Sequence, residues 1–374
     1  MNKYMLPSSV KTFSGGNEDV YVMFKDYWNH YRTEQLGAKG LDFDKTNADG
    51  KLLTFSDKET QMNKMIHKEI ARVSGVTTFE TLPFELWASN PTVLWASFAV
   101  VSQMIDAVLP ETLIDSIGLY TDIRTIGFGD SAAFDIEPRD LFVVSKSGRG
   151  MRQAEIKKQY RGQVTVLPEN HTITVAVSLY RVLAGKESLA SFVAKAVRSV
   201  ESEITVDAYN AFATAMAALS STAGNTQLQV SGYAQDDLIR LCQKVGAWNG
   251  GSRPVILGTV RALGNVLPVD ANYRYDLESD FVKIGYVRNF VGYDVMALPQ
   301  VADWTTEFAV RLDDTKLWIV SPTSQKLIKL VLEGSTLSNV TGQFDAATLQ
   351  QKANLHKSWG VAVASSSLAA TIAL

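Results

Sequence analysis

The strongest constraint on the fold of this chain is the apolar periodicity between Glu187 and Leu219. In ESLASFVAKAVRSVESEITVDAYNAFATAMAAL, Leu189, Phe192, Val193, Ala196, Val197, Val200, Ile204, Ala208, Phe212, Ala215 and Leu219 recur at helical spacing. This predicts one amphipathic helix, closed by the polar residues Ser220 to Gly224. At 1.5 Å per residue it runs to about 45–50 Å. Such a rod exceeds the usual diameter of a compact domain, so it reads as a spine, with Phe192, Val197, Val200 and Phe212 facing the core.

Around it, 374 residues with 46% hydrophobic content are enough for real cores and for two or three domains. Residues 1–56 are polar and mixed in charge, with turn signals at Gly15-Gly16 and Asp49-Gly50. They read as a largely extended arm with little to bury and one short helix near Val20 to Tyr31. A helix over 57–74 places Met62, Met65, Ile66, Ile70 and Val73 on one face behind an Asp57 cap. A second, over 90–108, has Asn90 as cap and Pro91 at its first position.

From Tyr120 to Ala176 the pattern changes to strands and turns, through FGDSAAFDI, DLFVVSKSGRG and QVTVLPENHTITVAV. This long two-stranded excursion lacks the apolar residues to cover both faces and needs something else to lie on. After Gly224, LQVSG, YAQDDLIRLCQKVGAW, PVILGT and VRALGNVL alternate strand and helix, the rhythm of a small α/β domain. VKIGYVRNFVGYDVMALP and KLWIVSP add strands with Val282, Ile284, Val287, Val291, Val295 and Leu298 as buried positions. The remainder, from KLIKLVLEGST to the terminus, reads as strands again.

Residues 147–162, SGRGMRQAEIKKQYRG, set Arg149, Arg152, Lys157, Lys158 and Arg161 against Glu155, a net charge of +4 in a chain of net −3. The near-neutral total argues against a dedicated nucleic-acid binder. One cysteine, Cys242, permits no internal disulfide and sits at an apolar helical position. No run of eighteen apolar residues and no signal-like start occur, so neither a membrane partner nor export is expected.

Chemistry-bearing motifs fail on spacing. In DFDKTNADGKLLTFSDKE a calcium loop would put Lys45 first and Ser56 twelfth, where carboxylates are required. Gly185-Lys186 lacks the first glycine and the following Ser or Thr of a phosphate loop, and Gly127-x-Gly129 has no third glycine or helix after it. His30, His67, His171 and His356 lie far apart and read as solvated or partly packed surface histidines. Asp236-Asp237 and Asp313-Asp314 suit helix starts or turns. No catalytic residue, metal or cofactor is expected.

The order of arm, β excursion, spine helix, α/β domain and returning strands resembles the major capsid proteins of tailed bacteriophages, the Hong Kong 97-type fold. The resemblance is carried by HTITVAVSLYRVLAGKESLASFVAKAVRSVESEITVDAYNAFA (171–213), by RPVILGT after a helix, and by the closing GVAVASSSLAATIAL. It implies an α+β fold with arm and helices over 1–119, extended loop over 120–176, peripheral domain with the spine over 177–227, axial domain over 228–322 and peripheral return strands over 323–374. It further implies self-assembly as pentamers and hexamers into an icosahedral head enclosing double-stranded DNA, built in the host cytoplasm with scaffolding, portal and decoration proteins, and only loose contact with phosphates.

Under that resemblance the basic loop lies across a neighbour's acidic surface, with a solvated loop or a nucleic-acid patch as the alternative. The segment 270–314, with nine acidic residues against Arg274, Lys283, Arg288 and Arg311 and a net charge of −5, is a candidate. Some members of the fold join subunits by a lysine–asparagine bond, for which Lys146, Lys157 and Lys158 face Asn339 and Asn354 as candidates without a residue-by-residue match. An encapsulin-like compartment shares the fold and stays open as an alternative. A soluble α/β enzyme would need a substrate pocket that the sequence does not announce.

Overall fold

A computed structural model describes residues 5–77, 81–83, 86, 90–118, 120–136, 161–178, 188–267, 284–298, 300–303, 307–321, 326–340, 350–364 and 367–374. Helices α1 (Ser8–Ser14), α2 (Asp19–Leu36), α3 (Phe55–Ser74) and α4 (Pro91–Ile117) open the chain. The spine is α5 (Leu189–Ala217), whose N-cap Ser188 accepts a hydrogen bond from the Ser191 amide.

The N-terminal segment is not an extended arm. Val10, Val20, Tyr21, Phe24, Tyr27 and Trp28 are all buried in one core with Met62, Ile66 and Ile70 of α3, Val100 and Met104 of α4, and Val193 and Val197 of the spine. The apolar surface of α2 is mostly aromatic and is interleaved with polar residues, so it does not register as an aliphatic stripe. Each buried Tyr or Trp removes a large ring from water, and the polar tips of Trp28 and Tyr21 find partners. Trp28 Nε1 donates to Thr112 Oγ1 at 2.9 Å, and Tyr21 Oη donates to Glu69 Oε1 at 3.1 Å.

Two helix boundaries also move. The cap of α3 is Thr54, with Asp57 as the reciprocal member of a capping box. Helix α4 keeps the Asn90 cap and Pro91 but runs through Pro110, nine residues beyond the sequence boundary of 108. Proline removes one backbone donor there, and the burial of Leu109 and Leu113 on the same helix offsets that loss. A stretch of α4 is long and apolar enough to cross a membrane, yet 83% of it is buried inside the protein. It is the central helix of the core.

Among the described residues two large mixed sheets follow, beside two two-stranded ones. One has the order β1-β12-β13-β4, from Thr121–Ile126, Ile328–Val340, Gln350–Val363 and Glu169–Ser178. The other has the order β5-β14-β11-β6-β8-β7, from Gln229–Ser231, Ala369–Ala373, Lys316–Val320, Val255–Gly258, Tyr293–Ala297 and Asn289–Phe290. Helices α6 (Gln235–Trp248) and α7 (Val260–Leu263) pack on the second sheet.

The closing strand corrects the 323–374 assignment. Strands β12 and β13 join the four-stranded sheet, whereas β14 pairs with β11 and β5 inside the α/β unit. Its residues Ala370 and Ile372 pack in the core with α6 and β11, while Ala369 packs in the cluster of Phe212, Met216 and Trp318. Among the expected buried positions, Val287 and Val295 are buried, Ile284 and Leu298 half-buried, and Val291 exposed, while Val282 lies outside the described residues.

Candidate assembly surfaces

The excursion begins and ends at one paired position. Strands β2 (Ala132–Ile136) and β3 (Gly162–Val166) run antiparallel with Ile136 opposite Gly162, so residues 137–161 leave and re-enter there. Their root does not wait for a partner. Phe134 is buried with Ala132, Val166 and Val331, and the Arg124 guanidinium lies 4.1 Å from its ring centroid. Lys329 stands 5.5 Å from the same ring and 3.6 Å from Asp122 Oδ2; burial lowers its pKa and Asp122 opposes that shift. The turn before β2 is tied down by the Gly129 amide, which donates to Glu333 Oε1 at 2.7 Å. The sequence expectation that the whole excursion lacks a support in cis is therefore corrected for its base.

Of the basic residues singled out, Arg161 is exposed just before β3. Arg149, Arg152, Lys157 and Lys158 lie outside the described residues, as do Lys146, Gly185-Lys186 and the DLFVVSKSGRG stretch.

The spine runs past three clusters in turn. Phe192 is half-buried against the helical core that holds Val197. Val200 packs with Leu109, Leu113, Leu330 and Trp359. Phe212 meets Trp318 of the α/β sheet edge-on, with centroids 5.8 Å apart. Between these contacts Asp207 accepts from Trp359 Nε1 at 2.9 Å, and the His171 ring stacks on Trp359 at 3.6 Å. A cleft of about 560 Å³ opens beside the spine where it reaches the α/β sheet, lined among others by Arg198, Glu201, Tyr209, Phe212, Leu257 and Leu298.

One buried charge cluster escaped the sequence reading. Asp106 of α4 accepts from Lys357 Nζ at 2.8 Å and from the amide and hydroxyl of Thr336 at 2.6 and 2.7 Å. The cluster depends on a register shift between Glu333 and Leu337, where Gly334 adopts φ +46° and its carbonyl also accepts from Lys357 at 2.9 Å. This fastens α4 to the four-stranded sheet. An isolated acid inside an apolar helix was its sole sequence signal.

Of the acidic segment 270–314, residues 270–283, with Asp270, Asp276, Glu278 and Asp280, lie outside the described residues, and the carboxylates that are described are partly matched. Cations from outside the segment approach its carboxylates: Lys316 stands 3.0 Å from Asp313, Arg261 3.9 Å from Asp314 and Arg253 3.9 Å from Asp294. Hydrogen bonds from Thr315 and Lys316 lower the pKa of Asp313 against the opposing effect of burial.

The remaining candidates are structural. Asn47 Oδ1 accepts from the Asp49 and Lys51 amides and closes a polar turn. Burial pushes the Cys242 thiol up to about 12, which leaves it a protonated core residue at neutral pH. His30 and His67 are buried rather than at the surface, His30 stacked on Phe43 at 4.4 Å. Among the described residues no cluster of His, Cys, Asp and Glu is arranged to hold a metal ion.

The family model described as "SPbeta prophage-derived putative capsid protein YonB" matches residues 42–373. Solved structures similar to this one include the capsid of the cyanophage P-SCSP1u, at 14% identity and TM-score 0.43 over 68% of this chain and 86% of that one. They include the capsid of an empty GTA particle, at 13% identity and TM-score 0.46 over 69% and 96%. A virus-like particle from Pyrococcus furiosus matches at 11% identity and TM-score 0.41 over 71% and 95%. A sequence search of curated proteins gives no match.

Proposed function

The chain belongs to the YonB family of prophage-derived capsid proteins, and we propose that it is the major structural protein of a phage head, self-assembling as pentamers and hexamers around double-stranded DNA. The observation that carries this reading is the family match, which spans both sheets and the spine. The subunit fits the role physically. Its spine links a helical core, a long-stranded sheet and an α/β unit, and the paired strands that flank residues 137–161 are anchored in cis.

In this reading the unit over 229–321 is the axial domain, the spine and four-stranded sheet form the peripheral domain, and assembly takes place in the host cytoplasm with scaffolding, portal and decoration proteins. Contacts with DNA are loose and salt-sensitive, from scattered Lys and Arg to phosphates. Arg149, Arg152, Lys157, Lys158 and Arg161 meet carboxylates of a neighbouring copy.

Sedimentation and negative-stain imaging of the purified chain test the reading. Closed shells tens of nanometres across are expected, and a chain that stays monomeric at every concentration and salt tried contradicts it. Reversing Lys157, Lys158 and Arg161 together to Glu should block assembly at low salt while leaving circular dichroism unchanged. Normal particles from that variant would remove the loop contact from the account.

A further inference from the structure

Two residues other than glycine have positive φ among the described residues, Val291 at 48° and Phe308 at 58°. L-amino acids with bulky or β-branched side chains rarely adopt this conformation, because Cβ crowds the carbonyl oxygen. Both residues are apolar and exposed, Val291 at 56% and Phe308 at 96%. Both lie in the same α/β unit, and both sit at the end of a β-hairpin.

Val291 and Gly292 form the two-residue turn between β7 and β8, with Phe290 paired to Tyr293. Positive φ at both positions fits the type I′ turn, where Asn-Gly is the favoured pair. Phe308 directly precedes β10 (Ala309–Val310), which pairs with β9 (Ala302–Asp303). Val310, two residues further on in β10, is also exposed, at 52%. In the free subunit both positions add strain, while Phe308 gains almost no burial and Val291 stays more than half exposed. Strain held at an exposed position is found where a contact made elsewhere compensates it.

We infer that the Val291 and Phe308 tips are contact points between copies of this chain, the Phe308 tip of one copy seated against the Val291 tip of the next. A second copy is the partner because the chain is read as a capsid protein, and the inference rests on that reading. The flanking charges fit the pairing. Exposed Glu307 adjoins Phe308, and exposed Arg288 precedes the Val291 turn. Neither forms an ion pair within the subunit among the described residues. Joining two different tips is a heterologous contact, which closes a ring when repeated around an axis.

The experiment compares assembly threshold with subunit stability. Val291→Asn and Phe308→Gly place favoured residues at the strained positions, so the unassembled subunit should melt at an unchanged or higher temperature. The concentration at which particles form should rise about tenfold or more for the pair, equivalent to about 1.4 kcal/mol. An unchanged threshold overturns the inference. Glu307→Arg alone should raise the threshold, and Arg288→Glu added to it should restore the wild-type value. A double reversal no better than the single one also overturns it. If the wild-type chain itself forms no particles, the capsid reading fails and takes this inference with it. If the wild type assembles and the variants match it, the inference alone fails.

Discussion

The N-terminal segment and the α/β unit differ in the direction their side chains face, and the difference runs opposite to what their sequences suggest. Residues 5–77 are polar overall, yet they turn Tyr21, Phe24, Tyr27 and Trp28 inward and bury their rings within the subunit. Glu69, fully buried, accepts from Asn17, Tyr21 and Arg72, which ties the loop after α1, α2 and α3 together. The α/β unit has a clean alternation of strand and helix and a dry core of Leu238, Leu241, Ile256, Leu317 and Ile319. It nevertheless leaves Trp248, Val291 and Phe308 outside. Polarity averaged along a segment thus says little about self-sufficiency; the placement of its few large rings says more.

The comparison breaks first at Trp28. Trp28→Ala should cost the unassembled subunit about 4 kcal/mol, because it opens a large void and leaves Thr112 without its donor. Denaturant unfolding measures this, and a loss under 1 kcal/mol would return the N-terminal segment to the status of an arm. Next in size is Lys357→Met, which leaves Asp106 buried without its cation and should cost about 3 kcal/mol. Replacing Asp106 by Leu in the same chain should recover much of that loss, since a buried pair replaced by apolar groups is often nearly neutral. Failure to recover would mean that the Thr336 contacts, not the ion pair, hold the bulge.

The smallest expected effect is one of pH. Burial lowers the pKa of His67 in the folded state. The unfolded chain then binds a proton at this site near pH 6.5 that the native protein refuses, so the contribution is neutral above that pH and destabilising below it. Urea midpoints should fall from pH 7 to pH 5 more steeply in the wild type than in His67→Gln. Equal slopes would place the proton uptake elsewhere.

The sequence made the spine legible because its aliphatic residues repeat at one period over eight turns, and tertiary context did not need to intervene. The same holds for α6 and for the strands at 255–258 and 316–320. Helix α2 reads in the sequence as one short helix near Val20 to Tyr31 within an extended arm, because its burial comes from aromatic rings that alternate with Lys25, Asp26 and His30. Helix α4 ends at 108 in the sequence reading, whereas core packing carries it through Pro110 to Ile117. Strand β14 was grouped with its sequence neighbours although its partners are β11 and β5, and long-range pairing leaves no local mark. The charge of 270–314 was summed along the chain, while Arg253, Arg261 and Lys316 reach it through space.

The central claim is that the N-terminal helices are completed within one subunit while the hairpin tips of the α/β unit are completed by another copy. Hydrogen exchange on dilute unassembled chain and on purified particles tests both halves at once. The account predicts equal protection of α2 amides in the two samples, and new protection around residues 289–293 and 307–310 in particles alone. Protection of α2 that arises only on assembly, with hairpin tips unchanged, would contradict it.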